Sequence, residues 1–536
     1  MIKKAFGKVK KQGFVTGALT LAAAGILCRI IGIGFRIPFA NIVGNYGMGL
    51  YQMVFPLYAL LLILSSAGIP IAISKMVART NTDTEDKGKA YEPKKILLNA
   101  IILLGFIGFI ISTAFLIFAR QIASLQGNPD VGKIYLVIAP AVFLVCLISA
   151  FRGYFQGLGN MIPTAVSQIV EQTVKVGIAI TLAILLYPRG VEWAVFGAIA
   201  AITLSEIVGL LTLITIFIFH KRKQNKPEKT KTNKLKNGIS FPLMWEILKK
   251  SLPITAMASI FPLILVFDSM VVIKMLEYGG ASKHVATQLY GISSGTVHTL
   301  INMPAILGIA IGTAVVPMTA RLLKQNKTDE VREKFALAVK MIYVIAIFFA
   351  LFYIVFGREI ITLLYERAFK DNPDQLQIAT RLLKIESVMI LLMGMSQVFT
   401  SMLQGAGRAK FPLISLAIGG AVKVAFSLIF IRTGLGIYAV SIGNVLCFAI
   451  AFTLNAIFAI KFLKIKISLR WRTLKLFALL VLHVGILIVL VYLLPSGKFW
   501  IVIGGIIGFI AYATFVFCLR IFQKGKNLIK VEKEST

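Results

Sequence analysis

Two lysines stand in the middle of long apolar stretches, and each arrives in the same local wording. Gln156-Gly157-Leu158-Gly159, then Pro163, leads to Val174-Lys175-Val176. Gln404-Gly405-Ala406-Gly407, then Pro412, leads to Val422-Lys423-Val424, and the interval from glutamine to lysine is the same in both. A lysine at bilayer depth costs roughly 2.5–3.5 kcal/mol on insertion scales and marks a functional position. Two at matched positions point to a transporter built from two repeats with a cationic site between them. Arg29 and Arg36, two helical turns apart in the first apolar run, project from nearly one face. A guanidinium stays charged and its fork suits phosphate oxygens, while a lysine adds a point charge. Arg29, Arg36, Lys423 and Lys175 are therefore the substrate-binding candidates, and the substrate they suit is anionic, a phosphate or diphosphate.

The same runs carry acids. Glu171 precedes Lys175 by one turn, close enough for an intrahelical pair. Glu206, Asp268 and Glu386 complete the charge-pair or ion-coupling candidates. Lys423 has no acid one turn away on its own helix, which makes it the freer positive charge of the two lysines. His298 and Asn302 share a face, and His298 reads as an interhelical hydrogen bond. Lys75, Arg152, Lys274 and Arg358 lie near the ends of runs and read as side chains snorkelling to the interface. In the first run, Gly32 and Gly34 before Pro38 predict a bend.

The elements that must hold these groups are membrane helices. The chain of 536 residues is 58% hydrophobic and 15% charged, with a mean hydropathy of +0.85, where a soluble protein carries about 25% charged residues. Fourteen continuous apolar runs are expected to span: 14–43, 50–78, 96–119, 132–156, 161–186, 193–219, 248–276, 288–318, 336–357, 376–404, 411–432, 437–462, 474–494 and 499–522. Their continuity excludes a barrel, whose strands alternate.

The net charge of +35 gathers at the N-terminus, in the loop from Lys221 to Lys236, at 321–334, at 461–475 and in the tail. With fourteen spans these segments fall on one side, placing both termini in the cytoplasm. They read as topology determinants resting on membrane lipid, not as a nucleic-acid surface, since no folded basic module with interleaved aromatics is present. The start of the chain imitates a secretory signal, but its apolar run continues beyond residue 40 and reads as an uncleaved helix. Cys28, Cys146, Cys447 and Cys518 all fall inside predicted spans without paired spacing, so neither a disulfide nor a metal site is expected.

The repeat extends beyond the lysines. Leu50-Tyr51 leads through Gly68-Ile69-Pro70 to Ser74, Lys75 and Arg79; Leu289-Tyr290 leads through Gly308-Ile309 to Val316, Pro317 and Arg321. The expected architecture is an all-α polytopic membrane protein of two six-helix repeats with two helices appended. Its expected divisions are an N-terminal lobe over 1–220, a basic cytoplasmic loop over 221–245, a C-terminal lobe over 246–463, and the extra helices with a tail over 464–536.

The stretch Arg36-Ile37-Pro38-Phe39, Gly44, Gly49-Leu50-Tyr51 and Gly68-Ile69-Pro70-Ile71-Ala72-Ile73-Ser74-Lys75 resembles the bacterial polysaccharide exporters of the stage V sporulation protein B type. These share a superfamily with the MurJ lipid II flippases and the MATE drug exporters. The Gln-Gly-x-Gly elements fit as well, so the resemblance covers essentially the whole chain. It implies two six-helix lobes around a central cavity, alternating access, and export of a lipid-linked sugar. In the flippase branch it further implies that the last two helices border a groove for the polyprenyl tail. The family's first-helix arginine pair corresponds to Arg29 and Arg36, spaced one residue wider here than in proteobacterial lipid II flippases. The family's second-helix cation has no clear counterpart.

The expected function is therefore the flipping of an undecaprenyl-diphosphate-linked sugar precursor across a bacterial cytoplasmic membrane by a monomeric transporter. No cofactor is expected; membrane potential, H+ or Na+ would supply the bias. The alternatives are a multidrug/cation antiporter of the same fold and a membrane-embedded glycosyltransferase or polymerase. The first would expose acids instead of arginines in the first helices, and the second would need a carboxylate pair or a sizeable loop domain. No P-loop is present, so ATP hydrolysis is not expected of this chain.

Overall fold

The computed structural model describes residues 14–66, 68–79, 91–224, 238–463, 466–467, 471–493, 495, 497–519, 521–522 and 529–530. Of the predicted basic loop over 221–245, residues 225–237 lie outside them, as does most of the tail, while 221–224 and 241–245 belong to helices. The helices in chain order are α1 (Phe14–Ser66), α2 (Ile69–Arg79), α3 (Pro93–Leu125), α4 (Gly132–Gly157), α5 (Ile162–Leu186), α6 (Val191–Gln224), α7 (Phe241–Ala258) and α8 (Ile260–Tyr278). They continue as α9 (Lys283–Tyr290), a π-helical turn (Gly291–Val297), α10 (His298–Lys324), α11 (Thr328–Leu364), α12 (Glu366–Phe369), α13 (Pro373–Gly405) and α14 (Lys410–Phe430). A second π-helical turn (Ile431–Leu435) leads to α15 (Tyr438–Leu463), α16 (Trp471–Leu493) and α17 (Lys498–Cys518). Among the described residues the one strand pairing is a two-residue antiparallel contact of β1 (Lys466–Ile467) with β2 (Ile529–Lys530).

Among the described residues, twelve helices are long and apolar enough to cross a membrane, or thirteen if α7 and α8, bent by 64° at their junction, are one span. Fourteen were expected. One span of the difference lies in 14–78, where α1 and α2 count together as a single candidate from Leu19 to Arg79, and the count of twelve also leaves out the bent pair α7 and α8. No polar loop separates the two expected spans, and helix resumes directly after one non-helical residue, Gly44. The first-span bend is also displaced. Helix runs through Gly32, Gly34 and Pro38 and breaks at Gly44, whose φ of 66° favours glycine.

The chain packs as two compact units: residues up to 35 with 50–271, and residues 36–49 with 272 onward. In the first unit α2 and α4 enclose a core including Ile73, Val77, Leu104, Phe155, Leu213 and Ile247. In the second, α10, α11 and α13 enclose Val331, Ile342, Val398, Met402 and Leu403. A smaller cluster of Val344, Phe348, Leu479 and Tyr512 packs α16 and α17 against α11.

The Gln-Gly-x-Gly doublets have the same conformation in both units. Each ends a helix in the same way. Gly159 and Gly407 both have φ 74°, with Gly159 N donating to Gln156 O and Gly407 N to Gln404 O, both at 3.0 Å. Asn160 N donates back to Phe155 O, and Arg408 N to Leu403 O, completing a Schellman cap in each. The preceding glycines mark equivalent crossings. A Cβ on Gly157 would lie 2.5 Å from Val77 Cβ and 2.9 Å from Ser74 O; one on Gly405 would lie 2.8 Å from Thr319 Cβ and 2.6 Å from Val316 O. Ser74 and Val77 are thus the structural counterparts of Val316 and Thr319, the register the sequence repeat implies.

Candidate functional site

In the first unit the in-span charges meet where α4, α5 and α6 pack together. Arg152 Nη2 donates to Glu171 Oε2 at 2.8 Å, and its Nε donates to Ser167 Oγ at 3.2 Å. Both side chains of the ion pair are largely shielded, at 16% and 14% exposure. This corrects two expectations. Glu171 pairs with Arg152 across the helix turn, not with Lys175, and Arg152 does not snorkel. The planar guanidinium can satisfy Ser167 and Glu171 together, which an ammonium one turn along the same helix cannot. Among the described residues Lys175, half-buried, has no ion-pair partner.

Glu206 on α6 is buried and accepts a 2.9 Å hydrogen bond from Tyr58 Oη on α1. It lies within electrostatic reach of Glu171, Arg152 and Lys175. Cys28 is within reach of the same three charges, which places this part of α1 beside the cluster. Its neighbour Arg29 is exposed. Asp268 is buried on α8; the adjacent Ser269 accepts a hydrogen bond from Gln126.

In the second unit a different cluster forms. Arg36 is half-buried, and its Nη1 donates to Thr299 Oγ1 at 3.4 Å. Thr299 in turn donates to Gly295 O inside the π-helical turn. That turn widens the backbone immediately before His298 and Thr299, a distortion common at functional positions. His298 Nδ1 stands 3.6 Å from Glu386 Oε2, and the Glu386 side chain is fully buried. Glu386 Oε1 accepts from Ser441 Oγ at 2.7 Å and from Asn444 Nδ2 at 3.0 Å. Lys423 and Arg36 both act on His298 electrostatically. Gly443, between Ser441 and Asn444, abuts the Lys423 stem, since a Cβ there would lie 3.2 Å from Lys423 Cγ.

The expected order of the two lysines is therefore reversed. Lys423, read as the freer cation, is 3% exposed within the Glu386 cluster; Lys175 is the more open of the two. Arg29 and Arg36 share a helix but belong to different units. Sequence reasoning passed over Tyr58, Ser441, Asn444 and Thr299. For Ser441 and Asn444 a signal existed: two polar residues one turn apart on an otherwise apolar helix.

The sequence matches the polysaccharide biosynthesis protein family over residues 14–323, more than half of its length. The chain belongs to that family. A second match, to the MatE family, covers residues 253–429. Among curated relatives, stage V sporulation protein B of Bacillus subtilis is 29% identical over 465 residues, covering 86% of each chain. Lipid II flippase MurJ of the same organism is 25% identical, covering 78% of this chain and 77% of its own. Among solved structures, lipid II flippase MurJ in an inward closed conformation aligns with a TM-score of 0.69 at 15% identity, covering 94% of this chain and all of that one. This member of the family is a polytopic helical membrane protein with the fold of the MATE and MurJ proteins, as its sequence led one to expect.

Proposed function

We propose that this chain flips an undecaprenyl-diphosphate-linked sugar across a bacterial cytoplasmic membrane, as a monomer with both termini in the cytoplasm. The observation that carries this reading is the set of cations inside apolar helices: Arg29 and Arg36 on α1, with Lys175 and Lys423 at repeat-matched positions on α5 and α14. Arg29, exposed, and Lys175, half-buried, are available to a ligand from the first unit. Arg36 is held by Thr299 in the second. Such groups suit an anionic diphosphate, which engages arginine by two parallel hydrogen bonds. The N-terminal lobe of 1–220 and the C-terminal lobe of 246–463 exchange access by rocking, while the polyprenyl tail stays in lipid beside the extra helices within 464–536. Ion binding at the buried acids, or membrane potential acting on the charges, biases the cycle.

The test is complementation of a strain depleted of its lipid II flippase. Growth supports a lipid II-like cargo. Failure with an intact, membrane-inserted protein redirects the reading to another polyprenyl-linked glycan. The MatE match over 253–429 favours one second reading, a drug or cation antiporter. Transport of cationic dyes in place of lipid-linked sugars by the reconstituted protein would establish it, against the expectation set by Arg29 and Arg36.

A further inference from the structure

Lys423 is buried at 3% exposure, so in this conformation it cannot meet a substrate phosphate. Glu386 is fully buried on α13, and Ser441, Asn444 and Gly443 of α15 bring its carboxylate and the lysine stem into one cluster. A buried carboxylate that loses its surrounding positive charge is costly, so lysine release and carboxylate charge are linked.

We propose that Lys423 is handed over: a proton entering on Glu386 neutralises the carboxylate and releases the lysine to the diphosphate. This rests on the flippase reading above. The proton comes from water and adds to a Glu386 carboxylate oxygen, giving the neutral carboxyl group; no other bond changes. His298, with Nδ1 3.6 Å from Glu386 Oε2, is the adjacent group able to relay it.

The geometry favours a proton over a metal cation as the exchanged ion. Glu386 Oε1 already faces two hydrogen-bond donors, the Ser441 hydroxyl and the Asn444 amide nitrogen. Both donors are turned to Oε1, an arrangement that serves a carboxylate and a carboxyl group alike. The charged and titratable groups facing the site are His298 on α10, Lys423 on α14 and Arg36 on α1. Tyr353 at α11 and Tyr365 just after it lie behind them: Tyr353 donates to Leu300 O, two residues beyond His298, and Tyr365 is within reach of Arg36. α15 contributes the neutral Ser441 and Asn444. A metal ion would need a coordination shell of its own beside Lys423 and Arg36, whereas a proton adds to the carboxylate oxygen directly and needs none.

The experiment uses the full chain in liposomes, with undecaprenyl diphosphate as the binding probe and infrared difference spectroscopy as an independent readout. Affinity should rise on acidification from about pH 8 to about pH 5, by up to about tenfold per pH unit, the slope of one linked proton. Glu386→Gln, which mimics the protonated state, should bind at the acidic-pH affinity throughout. Lys423→Met should bind weakly, with the pH dependence gone. A protonated-carboxyl band should appear on acidification in the parent protein, be absent from Glu386→Gln, and be insensitive to sodium. Binding by the parent that ignores pH overturns the hand-over and leaves the flippase reading standing. Absence of binding at every pH overturns both. Absence of the carboxyl band overturns the proton step whatever the binding result.

Discussion

Glu171 takes its ion pair from Arg152, 2.8 Å away on the preceding helix. The first unit therefore holds a closed pair and an open lysine, Lys175. The second holds a buried acid with Lys423 inward beside it. One duplicated scaffold has been given two electrostatic states, and the consequences differ for each.

Removing half of the Arg152–Glu171 pair should destabilise the protein by about 3–5 kcal/mol, because the remaining charge is left shielded and uncompensated. Arg152→Met and Glu171→Gln should each lower the thermal unfolding midpoint in detergent. The double variant should recover much of the loss. Additive losses would show that the two side chains do not act together.

Arg29→Ala and Arg36→Ala should each reduce flipping of a fluorescent lipid-linked sugar in proteoliposomes. A hydrogen bond to a charged group is worth about 1.5–3 kcal/mol, so the expected loss is roughly ten- to hundredfold. Lys75→Ala, at an exposed position on α2, should transport nearly normally. Equal activity in all three would remove the arginines from the mechanism.

Tyr58→Phe should cost about 1–3 kcal/mol by removing the donor to the buried Glu206. Tyr492→Phe, at a position 86% exposed, should change the unfolding midpoint little.

Gly157→Val and Gly405→Val should disturb equivalent crossings and destabilise to a similar degree, by about 1–3 kcal/mol each. Gly177→Ala, with nothing within 4 Å of the added atom, serves as the control. Unequal effects at 157 and 405 would show that the two copies bear different loads.

Much of this was legible in the chain. The repeated Gln-Gly-x-Gly wording marked two helix stops, and its spacing to Lys175 and Lys423 carried through to matched positions on α5 and α14. What could not be read was which charges meet. Glu171 has a basic neighbour one turn away in sequence, yet its partner lies across a helix turn at Arg152. Lys423 looks isolated along its own helix, because Glu386 comes from α13 and its donors from α15. Helix periodicity reports neighbours on one helix, while these networks are made between helices. The break at Gly44 falls in the gap between the expected spans 14–43 and 50–78, whereas Gly32, Gly34 and Pro38, read as a bend, lie inside unbroken helix.

One crossing shows how far the copies have separated. On α4, Gly153 makes room for Pro70, whose Cα would lie 2.9 Å from an added Cβ; at the matched crossing the glycine is Gly312 on α10, facing Ser401 Oγ at 2.6 Å. The small residue has moved to the opposite helix of the pair. The halves are consequently no longer spare parts for one another. A chimera carrying the α10 sequence in place of α2 would set glycine against glycine and leave a void, and the reciprocal swap would press proline onto serine. Each half has been refitted to its own neighbours, so exchange would have to move both helices of a crossing together.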